Sequence, residues 1–262
     1  MSNQSIQRAS DILSLFSYAR PQWRISDIAK AVKLPIGTAH GIVQALEVAG
    51  FLKKAPRSRE YRLGIRLHVL GTIYEGTFEL NQKASIPVSY LARETGLIGR
   101  LGVFHRDAVI VTMSTLPLES GSAAPYMGPS VPAFCSSMGR AVLAFMSDQE
   151  IDQHLKRVEL IKYTPKTISE RDLILAELAE TRDRGYSVVH QELMMHLDSI
   201  GAPIFGIDGE VVGAISLNGD PKKISGEKFH TLAQRVMDTA GEISNYMGYH
   251  IEPQFLNGAY RP

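Results

Sequence analysis

Apolar residues recur at steps of three and four over residues 5–18, which is the period of a helix with one buried face. The next segment, ISDIAKAV, predicts a second and shorter helix, in which Ser26 can cap the first turn and Asp27 suits the positive end of the helix dipole. The pattern breaks at Leu34-Pro35, because the residue before a proline disfavours helix while proline suits the start of a new one. Two short helices joined by a tight turn are therefore expected.

The segment PIGTAHGIVQALEVAGF predicts a third helix that stops at Gly50. One of its faces is apolar, and the other is polar and small. If this helix reads DNA, Gln44 can pair with adenine through two hydrogen bonds, and Thr38 and His40 can reach bases or phosphates. An ordinary three-helix bundle is the alternative interpretation.

The following segment, LKKAPRSREYRLG, has apolar ends around a basic turn, which predicts a β-hairpin wing. Its residues Lys53, Arg57 and Arg59 are expected to lie on DNA phosphate. Charge agrees with this prediction, because residues 1–66 hold 11 Lys and Arg against 4 Asp and Glu (+7), whereas residues 67–262 hold 17 against 23 (−6). Helix, turn, helix and basic hairpin in this order predict double-stranded DNA as a partner.

Three segments in this order and spacing, ISDIAKAVKLP, LPIGTAHGIVQALEVAGFL and a hairpin ending in YRLG, resemble the IclR family of transcriptional regulators. The resemblance covers about residues 4–248. It implies a winged helix-turn-helix DNA-binding domain at 1–64, a linker helix at 65–83 and a GAF-like effector-binding domain at 84–262. It also implies a homodimer, or a dimer of dimers, that reads a pseudo-palindromic operator. A plain interdomain helix is the alternative for 65–83.

Two positions of the third predicted helix depart from the family where DNA is read. The family usually has Ser at the position of Gly37 and Arg at the position of Gly41, so two expected contacts are missing. Each glycine also costs the helix about 1 kcal/mol relative to alanine. We therefore expect DNA affinity to depend strongly on the wing residues Arg57 and Arg59.

From residue 84 onward the pattern mixes helical and strand-like segments. A helix is predicted around PVSYLARETG, and LIGRLGVFH and AVIVTMS are predicted to form a hairpin through Arg106-Asp107. An amphipathic helix that ends at Gly185 precedes a second hairpin through Asp208-Gly209, and FHTLAQRVMDTAGEISNYM predicts a last helix. Hairpins flanked by helices predict an α+β domain with a central antiparallel sheet.

The segment GPSVPAFCSSMGRAVLAFMS resembles the family's effector loop, with Arg140 where lysine is more common. Residues 136–146 are predicted to be helical, so the free N–H groups at the start of this helix suit a small carboxylate. Serine hydroxyls that only cap the helix are the alternative. The family's pocket, carried over residue by residue, implies an effector site made of Cys135, Ser136, Ser137, Ser199, Ser216 and Asn218.

Apolar residues near these positions favour a less polar pocket than is usual in the family. The family often has an acidic residue at the position of Val189 and glycine at that of His196, and Phe134, Met138 and Met194 are close in sequence. An aromatic or otherwise apolar organic acid from a catabolic pathway is therefore the expected effector. Ordinary core packing is the alternative for the methionines and the phenylalanine.

A reactive thiol and a metal ion are two further hypotheses. Cys135 at a helix start can have a lowered pKa, which would suit a redox sensor or a GAF-like enzyme, and a small core residue is the alternative. Metal-ligating side chains at even spacings, as on one strand face, are His190, Glu192, His196 and Asp198. Surface polar positions are the simpler interpretation of these four, so no metal and no cofactor is expected.

The bulk composition narrows the class of protein. With 44% apolar and 21% charged residues the chain is typical of a globular protein, and it has neither a signal peptide nor an apolar run of about 20 residues. A single cysteine excludes an internal disulfide. The sequence offers no nucleophile and base at motif spacing and no phosphate loop. We therefore expect a cytoplasmic regulator that is neither an enzyme nor a membrane protein.

Overall fold

The computed structural model describes residues 4–116, 128–226 and 228–249. The chain divides into two compact units, and the division falls between Thr77 and Phe78.

The described part of the first unit consists of four helices and a small antiparallel sheet. The elements are α1 Gln4–Leu13, β1 Trp23–Arg24, α2 Ile25–Ala31, α3 Ile36–Val48, β2 Leu52–Lys54, β3 Glu60–Leu63 and α4 Ile65–Thr77. Strand β3 lies between β1 and β2. One apolar core joins the first three helices to the hairpin, and its buried members are Ile12, Ile28, Val43, Leu46, Leu52 and Tyr61. The predicted helix-turn-helix with a β-hairpin wing is confirmed.

Strand β1 was not predicted, and it changes how α2 begins. Arg24 pairs with Glu60 of β3, so its backbone is extended, and it occupies the N-cap position without a capping side chain. The prediction that Ser26 caps this helix is therefore wrong. The Ser26 hydroxyl lies inside the first turn, 3.4 Å from the Asp27 carboxylate. Sheet pairing, and not a serine cap, sets the start of α2.

The prediction of one linker helix at 65–83 is also wrong. Helix α4 ends at Thr77, Phe78 has an extended backbone, and α5 runs from Glu79 to Thr95. Pro87 lies inside α5, where the sequence predicted the start of a separate helix. Burial of an apolar stripe outweighs the hydrogen bond that proline cannot make. The stripe consists of Leu80, Ala84, Val88 and Leu91.

The second unit contains a central antiparallel sheet, as predicted. Its described elements after α5 are β4 Ile98–His105, β5 Ala108–Thr115, β6 Ser130–Pro132, α6 Ser137–Leu143, α7 Asp148–Arg157, α8 Arg171–Arg184, β7 Ser187–His190, β8 Asp198–Phe205, β9 Val211–Gly219, α9 Pro221–Ile224 and α10 Lys228–Tyr246. In this part of the chain the sheet has six strands in the order β6-β5-β4-β9-β8-β7. Helices α5 and α10 pack on one face and α6 packs on the other.

Both predicted hairpins are confirmed, with β4 paired to β5 and β8 paired to β9. The predicted helix at 136–146 is shorter, because α6 ends at Leu143. The N–H groups of Phe145 and Met146 bond three residues back, which tightens the chain into a turn. Arg182 then donates to the carbonyl oxygens of Ala144 and Met146, so these groups have partners outside a helix.

Candidate DNA-binding surface and effector site

Helix α3 presents the predicted DNA-reading residues on the side away from its core. Ala39 and Val43 are buried, whereas His40 and Gln44 are exposed and Thr38 is half-buried. The burial pattern follows the helical period, which explains why the sequence assigned these faces correctly.

The two glycines that depart from the family lie on the same open surface of α3. A Cβ added to Gly37 or Gly41 would meet nothing within 4 Å. Packing therefore does not require glycine at either position, and a longer side chain fits at both.

The wing carries its charge on strand β2 and at its tip. Lys53, Arg57 and Arg59 are exposed, and Ala55 N–H donates to the Glu60 carbonyl at 2.8 Å to close the hairpin. Arg57 has a φ of +57°, a conformation that costs an L-residue other than glycine roughly 1–2 kcal/mol. A cation therefore occupies a position that is better suited to glycine.

In the second unit, four of the six predicted effector residues come together. Ser136 and Ser137 from the start of α6, Ser199 of β8 and Asn218 of β9 line one small cavity. The cavity measures about 10 Å³, which is room for a single water molecule at most. Its remaining wall is mainly apolar and consists of Met138, Val189, Leu193, Met194 and Leu197.

The other two predicted residues do not line this cavity. Ser216 is buried on the same face of β9 as Asn218, and its hydroxyl accepts a hydrogen bond from the Asn218 amide at 2.8 Å. Cys135 is fully buried in a separate apolar cluster with Phe134 and Leu143. Burial raises the pKa of the Cys135 thiol to about 12. A protonated thiol is a poor nucleophile, so the geometry does not favour a redox or thiol-enzyme role.

The start of α6 differs from the predicted anion site. Ser136 is the N-cap residue, and its hydroxyl accepts from Gly139 N–H at 3.2 Å and donates to the Pro132 carbonyl at 2.6 Å. The helix has seven residues. The capping interpretation of Ser136 is therefore correct, and the hypothesis that this helix terminus by itself holds a carboxylate is not supported.

Glycines allow α6 to lie directly against the sheet. A Cβ on Gly201 of β8 would lie 2.7 Å from the Ser137 carbonyl, and one on Gly102 of β4 would lie 3.2 Å from the Met138 sulfur. The Ser187 hydroxyl of β7 donates to the Ser137 carbonyl at 2.5 Å. These contacts set the position of the cavity wall.

Arg100 is a functional candidate that the sequence analysis missed. It lies in β4 directly opposite Ser216 of β9, and it is only 4% exposed. Burial lowers the pKa of its guanidinium. The sequence could have indicated Arg100, because it is a charged residue in the middle of the predicted strand IGRLGVFH, which is otherwise mostly apolar. Arginine is almost never fully buried without a partner.

A buried ion pair holds the wall of the cavity in place. Arg140 of α6 donates to both carboxylate oxygens of Glu192, at 2.7 and 2.8 Å, and to the Phe134 carbonyl at 2.9 Å. The same carboxylate accepts from Ile168 N–H at 2.9 Å. Both partners are buried. This pair anchors the turn that contains Leu193 to α6.

The four metal-ligand candidates are not on one strand face. Strand β7 ends at His190 and β8 begins at Asp198, and these two side chains bond across the strands at 2.8 Å. Glu192 is occupied by Arg140, and His196 lies in the turn with a φ of +64°. Among the residues that the structure describes, no group of three His, Cys, Asp or Glu side chains is placed to hold a metal.

An open cleft of about 560 Å³ adjoins the small cavity. The two spaces share Leu193 and Met194 as a common wall. Tyr163 and Phe134 line the cleft, and their ring centres are 6.5 Å apart. Movement of two apolar side chains would therefore connect the cavity to the surface.

Comparison with known proteins agrees with both units. The family model described as the IclR helix-turn-helix domain matches residues 5–56, and the one described as the C-terminal domain of the bacterial transcriptional regulator IclR matches residues 74–245. The chain belongs to the IclR family of transcriptional regulators. Its helix-turn-helix domain implies that this IclR-family protein binds DNA.

Relatives resemble the IclR-family chain over nearly its whole length. The glycerol operon regulatory protein of Streptomyces coelicolor is 30% identical, over 94% of this chain and 96% of the relative. An IclR transcriptional regulator of Alicyclobacillus acidocaldarius has a solved structure with a TM-score of 0.84 and 25% identity, over 95% of this chain and all of that one. A homologue from Microbacterium hydrocarbonoxydans was solved in complex with 4-hydroxybenzoate. It has a TM-score of 0.76 and 22% identity, over 93% of this chain and 99% of that one.

No helix in the described ranges is long and apolar enough to cross a bilayer.

Proposed function

We propose that this regulator binds a pseudo-palindromic operator as a homodimer and changes its DNA affinity when a small organic acid enters the second unit. The strongest support for the effector site is that polar residues far apart in the sequence lie around the same cavity. Residues from three separate segments, Ser136 and Ser137, Ser199, and Asn218, meet around one cavity.

The small size of the cavity suits a switch. At about 10 Å³ it is too small for an organic acid, so the wall of Leu193 and Met194 must move when one enters. Methionine is flexible enough to permit this movement. Because an effector can shift a conformational equilibrium only by binding one state better, a cavity that opens on binding couples occupancy to conformation.

An aromatic or apolar acid fits the lining better than a hydrophilic oxoacid. Leucine, methionine and valine side chains form most of the wall, and only four of the lining residues are polar: Ser136, Ser137, Ser199 and Asn218. The 4-hydroxybenzoate bound to the Microbacterium hydrocarbonoxydans homologue is an acid of this class.

Helix α4 is the proposed dimer contact. None of its residues is buried, and it presents exposed apolar side chains one turn apart at Ile65, Val69 and Ile73, flanked by Leu70 and Tyr74. An exposed stripe of this kind is typical of a helix that packs against a partner.

Light scattering should show a dimer for the natural chain and a shift towards monomer for Ile73→Glu. His68→Glu, an exposed position of α4 outside the apolar stripe, is the matched control, and equal masses for both variants would contradict the assignment.

The experiment that tests the regulatory proposal is DNA binding by fluorescence anisotropy, with the promoter region of the protein's own gene. The titration is repeated with benzoate, 4-hydroxybenzoate, phenylacetate, hexanoate and glyoxylate. A change in affinity with an aromatic or apolar acid, and none with glyoxylate, is expected. DNA binding that no acid alters would contradict the effector proposal and leave the DNA-binding domain unaffected.

A further inference from the structure

We propose that the ring of an aromatic effector lies in the open cleft against Tyr163, and that Tyr163 makes the protein prefer aromatic acids over saturated ones. This inference rests on the proposed effector function and adds a residue that determines specificity. The sequence does not imply Tyr163 as a member of the site.

The cleft provides the room that the small cavity lacks. The cavity of about 10 Å³ is lined by the polar side chains, and the cleft of about 560 Å³ shares the wall of Leu193 and Met194 with it. An acid that reaches the polar side chains by displacing these two residues therefore extends into the cleft. Its apolar part then lies among the cleft residues.

Tyr163 presents an aromatic ring to the cleft. Tyr163 is 45% exposed, whereas Phe134, which lines the cleft beside it, is only 2% exposed. The two ring centres are 6.5 Å apart and the ring planes are inclined at 35°. Phe134 therefore supports Tyr163 from the core, and Tyr163 keeps exposed ring surface for a ligand. Aromatic rings pair favourably when their centres are about 4.5–7 Å apart.

Hydrogen bonds hold the segment that contains Tyr163 beside the wall of the small cavity. The hydroxyl of the next residue, Thr164, donates to the Gln191 carbonyl at 2.8 Å. The Thr167 hydroxyl donates to the Glu192 carbonyl at 2.6 Å. Both carbonyls belong to the turn that carries the apolar wall, so the wall side chains can rotate while Tyr163 stays in place. A ring that is already in position loses little conformational freedom on binding.

The charges of the cleft determine which end of the effector faces it. Asp107 and Glu159 line the cleft, and none of its described lining residues is a lysine, arginine or histidine. Arg157 donates to Asp107 at 2.7 Å, which leaves the charge of Glu159 to act on a ligand. A carboxylate placed in the cleft would be repelled by it, whereas the hydroxyl and amide donors lie at the small cavity. The ring, and not the carboxylate, is therefore expected to lie against Tyr163.

The test compares acids that differ only in the aromaticity of the ring. Calorimetric titration of the full chain uses benzoate against cyclohexanecarboxylate and phenylacetate against cyclohexylacetate. The natural chain should bind the aromatic acid of each pair roughly 2- to 10-fold more tightly, which is the effect of one additional aromatic contact. Tyr163→Leu should lose this preference, and Tyr163→Phe should keep it. Tyr90→Leu, which removes a similarly exposed tyrosine from α5, is the matched control and should leave the preference unchanged.

Circular dichroism establishes that each variant is folded, and Tyr163→Met takes the place of Tyr163→Leu if the latter is not. A folded variant without an aromatic ring at position 163 that keeps the full preference would overturn the role of Tyr163, while the effector proposal would stand. A natural chain that binds both acids of each pair equally tightly would have the same consequence. A natural chain that binds none of these acids, nor hexanoate, would instead refute the proposed acid effector and this inference together.

Discussion

The proposed DNA-binding surface and the proposed effector site hold their polar side chains in opposite ways. On the first unit, His40, Gln44 and the wing cations stand in solvent on a framework whose core lies elsewhere. On the second unit, the candidate polar residues are buried between α6 and the sheet. An exposed side chain can change without loss of packing, whereas a buried polar group that loses its partner destabilises the fold. Substitutions at the first surface should therefore alter affinity alone, and those around the second should also alter stability.

The largest effect is expected for Glu192→Ala, which leaves the buried Arg140 without its bidentate partner. Removing one member of a buried ion pair costs about 3–5 kcal/mol of folding free energy. Urea unfolding followed by circular dichroism measures this loss. Glu177→Ala is the matched control, because its carboxylate is 3.7 Å from Arg140 and 29% exposed, and it should cost about 1 kcal/mol or less. Equal losses of folding free energy for the two variants would contradict the conclusion that Glu192 is the main partner of Arg140.

The double change Arg57→Ala and Arg59→Ala should weaken binding to every DNA sequence by roughly 10- to 100-fold without lowering stability. Each lost phosphate contact reduces the slope of log affinity against log salt by about 0.9, so the slope should fall by about 2. Anisotropy titrations over a range of salt concentrations measure it. Lys222→Ala with Lys223→Ala removes the same charge from an exposed part of the second unit and controls for net charge. A salt slope that does not change would contradict the wing assignment.

Gly41→Arg should tighten DNA binding by roughly tenfold, because it restores a cation that the open surface of α3 can accommodate. The salt slope should rise by about 1 at the same time. Gly41→Ala separates charge from helix propensity, since it stabilises the helix by up to about 1 kcal/mol without adding a contact. If Gly41→Arg and Gly41→Ala increase DNA affinity equally, the gain comes from a more stable helix and not from the added cation.

At neutral pH the smallest effect is expected at Cys135, whose contribution to stability changes only at high pH. Its pKa is 9.0 in an unfolded chain and about 12 in the folded protein, mainly because burial disfavours the thiolate. The resulting stabilisation is complete below pH 9 and is lost as pH rises towards 12. The free energy of unfolding of the natural chain, relative to that of Cys135→Ala, should therefore be constant below pH 9 and fall above it. Rapid alkylation of the folded chain at neutral pH would show that the thiol is not protected.

Where prediction from the sequence failed, long-range pairing decided the structure. Strands β1 and β6 have two and three residues, too few for an alternating pattern, and each forms only because a neighbouring strand is in place. Pro87 indicated a helix start, but the core formed by α10 and the sheet keeps α5 continuous through it. Cys135 precedes the serines of the cavity, yet its side chain belongs to another apolar cluster. Local pattern carries no information about such neighbours.

The sequence by itself determined the helix-turn-helix, the basic wing, the two hairpins and the exposed polar face of α3. These features depend on periodicity, turn residues and exposed charge, all of which are local. The tertiary structure alone decided which polar residues share a cavity and that Glu192 pairs with Arg140. These relations join residues that are far apart in the chain, and they follow from strand register and from the close approach of α6 to the sheet at Gly201.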